Sequence, residues 1–253
     1  MATKRHFLAL LFVAVCLGSP PVRAQEQLTG MYRLSRDTTA IVGPEMAAVL
    51  EEAIDKDEQL EWQVYIPESY SPDRPAGLFV YIDPNGYGLM PDQWQGLFAQ
   101  RNLIWVGVRQ TRRRSNDVRR VWQAILGSRA IAQDYAIDLQ RMYVGGAQDT
   151  VAAALHTMLT ANEFSGAIYI RGSYDAQFLD PDFRQAMRRK HHVFITGTND
   201  KNKAKVRSDY EKYQSMGIDN VKLIFDTQRL EAVPKSEQIG EAFRYLDTRN
   251  GSQ

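Results

Sequence analysis

Five short apolar runs, separated by stretches of helical periodicity, limit what this chain can fold into. They are GLFVYID (77–83), LIWVGV (103–108), AIYI (167–170), VFITG (193–197) and VKLIF (221–225). A strand with one solvated face alternates apolar and polar residues, whereas a strand covered on both faces has no need to. The runs therefore predict parallel strands with helices on both sides, joined by right-handed crossovers. One further segment alternates, with Leu60, Trp62, Val64 and Ile66 apolar before Pro67. It reads as a half-buried strand, and residues 31–35 read as another short one. Helical stripes are expected from Met46, Val49, Leu50 and Ala53 after Gly43-Pro44-Glu45. Further stripes come from Val118, Val121, Trp122 and Ile125, from Val206, Tyr210 and Tyr213, and from Ile239, Ala242, Phe243 and Leu246 behind a Ser236 N-cap. With 253 residues, 44% of them apolar, the chain suits one α/β domain, and no repeat or linker divides it.

The amino terminus stands apart. Lys4 and Arg5 precede an apolar run (7–17), a Gly-Ser-Pro-Pro break and Val22-Arg23-Ala24. This is the three-part form of a secretory signal, with cleavage expected after Ala24 and a mature domain at 25–253. The run is too short for a stable membrane-spanning helix, and a retained anchor is the alternative. Export places the protein in the periplasm or outside the cell. Cleavage also removes Lys4, Arg5 and Arg23, leaving 28 basic residues against 30 acidic ones, a net charge of −2. That balance gives no reason to expect a nucleic-acid partner. Cys16 is the only cysteine and leaves with the signal, so the mature chain has neither a disulfide nor a thiol nucleophile.

In a parallel sheet ligands collect at the carboxyl ends of the strands. That edge is expected to gather residues 83–88, 109–114, 148–149, 171–174, 198–202 and 226–234. At its centre lies RMYVGGAQDTVAAALHTMLT (141–160), read as a buried strand, a tight turn at Gly146-Ala147-Gln148-Asp149 and an Ala-rich helix.

The order of these pieces resembles the α/β-hydrolase superfamily, in particular secreted esterases of the polyhydroxybutyrate-depolymerase and feruloyl-esterase kind. The resemblance runs over residues 60–247. It rests on VYIPESYSPDRPAGLFVYIDPNGYG, NLIWVGV, YAIDLQRMYVGGAQD, VFITGTND and VPKSEQIGEAFRYLD. It implies a mostly parallel, helix-flanked sheet of the α/β-hydrolase type. It also implies a nucleophile elbow, G-x-S-x-G, at Gly146–Thr150, but Gln148 stands where the serine belongs and Thr150 where the second glycine does. The acid position falls on Asp200 and the histidine position on Glu231. The oxyanion loop, normally a His-Gly pair, reads Asp83-Pro84-Asn85-Gly86.

Each replacement works against acyl transfer. An amide is not a hydroxyl nucleophile, and a carboxylate at Asp83 opposes a developing oxyanion unless it caps backbone amides instead. The mature chain has three histidines. His156 lies within the helix after the turn, and His191 and His192 precede a strand at the opposite edge. Ser173 is the one hydroxyl on the expected edge that merits testing as a substitute nucleophile.

The reading that follows is a pseudo-esterase whose cleft binds a small molecule or an anion. Its ligand candidates are Asp83, Asn85, Gly86, Gln148, Asp149, Ser173, Tyr174 and the basic Arg112, Arg113 and Arg114. Arg109, Arg119 and Arg120 extend that basic cluster, for which salt bridges to nearby acids are the simpler expectation. Tyr87 and Trp94 are further aromatic candidates, with packing the simpler role. Asp83, Asp149, Asp200 and Glu231 lack any recognised metal-ligand spacing, and no metal or cofactor is implied. Two alternatives stay open: an active ester hydrolase with a displaced nucleophile or a carboxylate-based site, and a protein-interaction subunit. No particular protein partner is indicated.

Overall fold

The computed structural model describes residues 28–109, 116–227 and 233–250, without the side chains of 248–250. The expected signal segment, Cys16, Arg112, Arg113, Arg114 and Glu231 lie outside the described residues. The elements run β1 (Gly30–Asp37), α1 (Thr38–Leu50), β2 (Gln59–Ile66), β3 (Ala76–Ile82), α2 (Asp92–Arg101), β4 (Leu103–Arg109), α3 (Asp117–Asp134) and β5 (Ile137–Ala147). They continue with α4 (Val151–Thr160), β6 (Gly166–Ile170), α5 (Pro181–Met187), β7 (His191–Gly197), α6 (Lys203–Ser215), β8 (Val221–Asp226) and α7 (Ser236–Asn250).

The strands form one eight-stranded sheet in the order β1-β2-β4-β3-β5-β6-β7-β8. β2 is antiparallel to both its neighbours, and β3 to β8 are parallel. All five apolar runs are strands of the parallel part. Successive residues feed opposite faces, as strand pleating requires. In β3, Leu78, Val80 and Ile82 enter one core while Phe79 enters the other. The first core lies under α1, α3, α4 and α6, and the second under α2 and α7. The second is aromatic: Phe79 meets Phe243 edge-on at 5.2 Å and Trp105 at 5.7 Å. Such pairs add about 0.5–1.5 kcal/mol each beyond burial.

Three local expectations need correction. α1 starts at Thr38, capped by the Asp37 carboxylate on the Ala40 N–H (2.7 Å), and is kinked at Gly43 (φ 80°). Its buried residues include Ala47 and Leu50, whereas Met46 and Val49 face solvent, so the stripe after the kink runs through Ala47 rather than through Met46 and Val49. Val118 is exposed because it sits in the first turn of α3, ahead of the packed stretch that begins with Val121. Ser236 is the first helical residue of α7, and its hydroxyl donates to the Gln93 carbonyl of α2.

Candidate functional site

β5 enters a turn whose apex is Gln148, with φ at +55°. An L-residue other than glycine or asparagine is held there only when its surroundings impose the conformation. Two features impose it. The Thr150 hydroxyl accepts the Ala147 N–H (2.9 Å) and donates towards the carbonyls of Ile82 (2.7 Å) and Ala147 (2.9 Å), stitching the turn to β3. Gly172 packs against the apex so closely that a Cβ there would lie 2.6 Å from the Gln148 carbonyl oxygen. Thr150 is therefore fully buried and holds the bend with its side chain, while Gln148 and Asp149 are exposed. Asp149 lies 3.5 Å from Arg120, at the amino end of α3.

Asp83, at the end of β3, is 8% exposed. One carboxylate oxygen accepts the Asn85 N–H (2.9 Å), and the other accepts those of Tyr87 and Gly88 (3.0 Å each). The Gly86 N–H goes to the Asp83 carbonyl (3.0 Å). The loop after β3 thus turns its amides inward onto its own carboxylate. Of the two roles open to Asp83 in the sequence, the structure gives it the capping one. The same loop lies on β4: the Trp105 indole donates to the Gly88 carbonyl (3.1 Å), and a Cβ on Gly107 would sit 1.8 Å from that oxygen. Arg109 holds the loop from the side, donating to the Tyr87 carbonyl (3.0 Å) and to Glu61 (3.2 Å).

Asp200 follows β7, with its side chain fully buried. It accepts the Thr196 hydroxyl (2.7 Å) and the Asn202 N–H (2.9 Å), and the Arg171 guanidinium lies 3.8 Å away. Arg171 follows β6 at φ +54° and is fixed by its backbone, whose N–H donates to Ile195 (2.8 Å) and whose carbonyl accepts from Asn202 (3.0 Å). A buried carboxylate needs a counter-charge and hydrogen bonds together, and Asp200 has both without any imidazole. Sequence reasoning placed Arg171 on this edge but missed the pairing, which joins two loops 29 positions apart.

The remaining candidates divide between structural roles. Ser173 donates to the buried Asp209 (2.7 Å), and Lys205 reaches both groups, so this hydroxyl belongs to an ion-pair network with α6. Tyr174 packs edge-on against His156 (5.5 Å). Trp94 is buried and donates to the Pro234 carbonyl (2.8 Å), whereas Tyr87 is 62% exposed. Arg119 pairs with Glu58 (2.6 Å) and Arg120 with Asp117 (3.2 Å). Among the described residues no three His, Cys, Asp or Glu side chains form a group that could hold a metal ion; Asp83, Asp149 and Asp200 do not converge. Among them, too, no helix is long and apolar enough to cross a membrane.

Of the described histidines, only His156 touches a candidate of this edge, through its ring contact with Tyr174. His156 is on α4 between Tyr174 and Phe183, and burial lowers its pKa. His191 and His192 open β7 at the amino-end edge, as expected. His192 is fully buried, with Nε2 at 3.1 Å from the Met187 carbonyl and Nδ1 at 3.0 Å from the Tyr169 hydroxyl. A carbonyl only accepts, so Nε2 carries the proton and Tyr169 donates to Nδ1. Burial pushes the pKa down from 6.5 to about 4. Above pH 6.5 both folded and unfolded chains hold a neutral imidazole and stability is complete. Between 6.5 and about 4 the unfolded chain binds a proton the folded one refuses, so stability falls with pH by up to about 3 kcal/mol. Urea titrations at pH 7.5 and 4.5 are expected to differ by about 2 kcal/mol less in His192→Gln than in the wild type. Equal differences would show that the buried ring does not set this dependence.

A thermostable esterase superposes with a TM-score of 0.58 at 13% identity, over 87% of this chain and 61% of its own. An S-formylglutathione hydrolase from Staphylococcus aureus gives 0.59 at 8% identity, over 86% and 97%. The substrate-bound fluorophosphonate-binding serine hydrolase F of the same organism gives 0.58 at 11%, over 86% and 98%. This chain has the α/β-hydrolase fold. It spans only 34% of another match, the dipeptidyl peptidase 4 of Porphyromonas gingivalis, so the larger hydrolase carries much that this chain does not match. No family model matches the sequence, and no curated protein matches it either. The likeness is one of α/β-hydrolase architecture, at identities that fix the fold alone.

Proposed function

We propose that this is an exported α/β-hydrolase-fold protein that binds a small molecule or anion at the carboxyl-end edge of its sheet and does not hydrolyse esters. The supporting observation is the apex of the β5–α4 turn: it keeps the strained backbone of a nucleophile elbow (φ +55°) but presents the amide of Gln148. Such a backbone costs about 1–3 kcal/mol, and here it positions a group that cannot be activated as an oxygen nucleophile. Two further arrangements agree. Asp200 is engaged by Arg171, and the Asp83 carboxylate occupies three amides of the loop that would otherwise face an oxyanion. What remains on this edge suits binding: exposed Gln148 and Asp149 and the partly exposed Arg171 guanidinium. Export rests on the signal-like residues 1–24.

Turnover of short p-nitrophenyl esters tests the proposal. The wild type is expected to match Gln148→Ala and the buffer rate. A saturable rate abolished by one substitution at this edge would establish an active hydrolase instead. In the Gln148→Ser/Glu231→His double variant, any turnover gained should stay far below that of an esterase, because Asp200 and the Asp83 loop remain otherwise committed.

A further inference from the structure

Gln148 and Arg171 are neighbours in the sheet. Ala147 of β5 pairs in register with Ile170 of β6, so Gln148 and Arg171, the next residue on each chain segment, lie side by side just past the strand ends. Adjacent strands are about 4.8 Å apart, and Gly172 packs directly on the Gln148 backbone. Both residues carry the same left-handed backbone, with φ at +55° and +54°. Glycine adopts that conformation freely, and other residues are kept in it chiefly at ligand clamps and active sites, where the side chain is used. Asn102 is the one other described non-glycine residue with positive φ, and asparagine is a type that tolerates it.

Both side chains keep hydrogen-bonding capacity that the protein does not use. The Arg171 guanidinium approaches Asp200 through Nε (3.8 Å), and that atom is shut off from solvent. Its two Nη atoms have no hydrogen-bond partner among the described residues and are not shut off, the side chain being 18% exposed. They are the prongs of a fork that fits a carboxylate or a phosphate. The Gln148 amide is exposed and bonds no described residue. The charges nearby separate the two anions. Asp200 already sets one negative charge against Arg171. Asp149 adds another, 3.5 Å from Arg120, and Asp83 a third, capped by its own loop. Asn202 donates to the Arg171 carbonyl; of the lysines on either side of it, Lys203 is engaged by the Thr198 carbonyl (2.6 Å) and Lys201 is exposed. With carboxylates already at hand, a single added negative charge is repelled less than a double one, which favours a carboxylate over a phosphate dianion.

We propose that the ligand taken at this edge is a small monocarboxylate, held by the Nη fork of Arg171 and by the Nε2 donor of Gln148. The proposal rests on the reading of this edge as a binding site and names the chemistry of what it binds.

Isothermal titration of the protein with sodium acetate, sodium butyrate, butyramide and inorganic phosphate, at a pH where phosphate is mainly doubly charged, tests this. At least one of the two carboxylates is expected to bind saturably, about tenfold or more tighter than phosphate, with no binding of the neutral amide. Arg171→Lys keeps a cation beside Asp200 but loses the fork, and is expected to weaken carboxylate binding about tenfold. Gln148→Gly removes the amide and relieves the backbone. It is expected to weaken binding about threefold or more while the melting temperature holds or rises, which a merely structural role for Gln148 would not produce. Phosphate bound as tightly as the carboxylates would overturn the carboxylate assignment; if Arg171→Lys weakens that phosphate binding, the edge remains a binding site. Binding of neither carboxylate, or carboxylate binding that neither variant weakens, would overturn the proposal as well. Ester turnover by the wild type, with the affinities as expected, would overturn only the non-hydrolytic reading of the edge.

Discussion

Arg171→Met is expected to destabilise the protein by about 3–5 kcal/mol, the cost of leaving a buried carboxylate without its counter-charge. The Asp200 side chain is wholly shielded from solvent and Arg171 is the cation beside it, so the loss cannot be made good by bulk water. The Thr196 hydroxyl and the Asn202 N–H would stay, but neither carries charge. Methionine keeps the length of the stem and inherits the same positive φ, so backbone strain is not what changes. Adding Asp200→Asn removes the stranded charge. The double variant is therefore expected to recover most of the loss, and urea unfolding of the four proteins in that cycle measures the coupling. A single-variant loss below about 1 kcal/mol would mean that the pair contributes no more than an exposed salt bridge.

Asp83→Ala should cost nearly as much, about 4 kcal/mol, for a different reason. Three N–H groups lose a charged acceptor at once, and hydrogen bonds to a charged group are worth about 1.5–3 kcal/mol each. The Gly88 N–H is buried, while those of Asn85 and Tyr87 are partly open and recover some hydration. The damage is expected to stay local, because the loop is also pinned by the Trp105 indole and by Arg109. Amide hydrogen exchange would show it: residues 85–88 lose protection while the centre of the sheet keeps it. Unchanged protection over 85–88 would remove Asp83 as the organiser of this loop.

The parallel strands were legible because burial on both faces leaves an unbroken apolar run, as in residues 77–82 and 103–108. β5 was legible only in its second half. Residues 137–141 mix apolar and polar side chains with none of them buried, so nothing in their composition separates them from a loop, and only Ile137 among them pairs with β3, ahead of a register shift. α2 was not read as a separate element, since it is only ten residues long and buries just Trp94 and Phe98 completely. At the candidate site, local relations were readable. The spacing from Asp83 to its own loop amides is of this kind, and capping had been one of its two expected roles. Non-local relations were not: which cation faces Asp200 depends on how the ends of β6 and β7 lie side by side. That His191 and His192 lie away from this edge could be reasoned out in advance, since they begin a strand and the edge collects strand ends.

One measurement bears most directly on the claim that no side chain on the central bend is an activated oxygen nucleophile. It is the intact mass of the protein after incubation with a reactive fluorophosphonate. The expected result is an unmodified mass under conditions that label an active serine hydrolase to completion. A stoichiometric adduct mapped to Ser173, or to any hydroxyl beside Gln148, would contradict it.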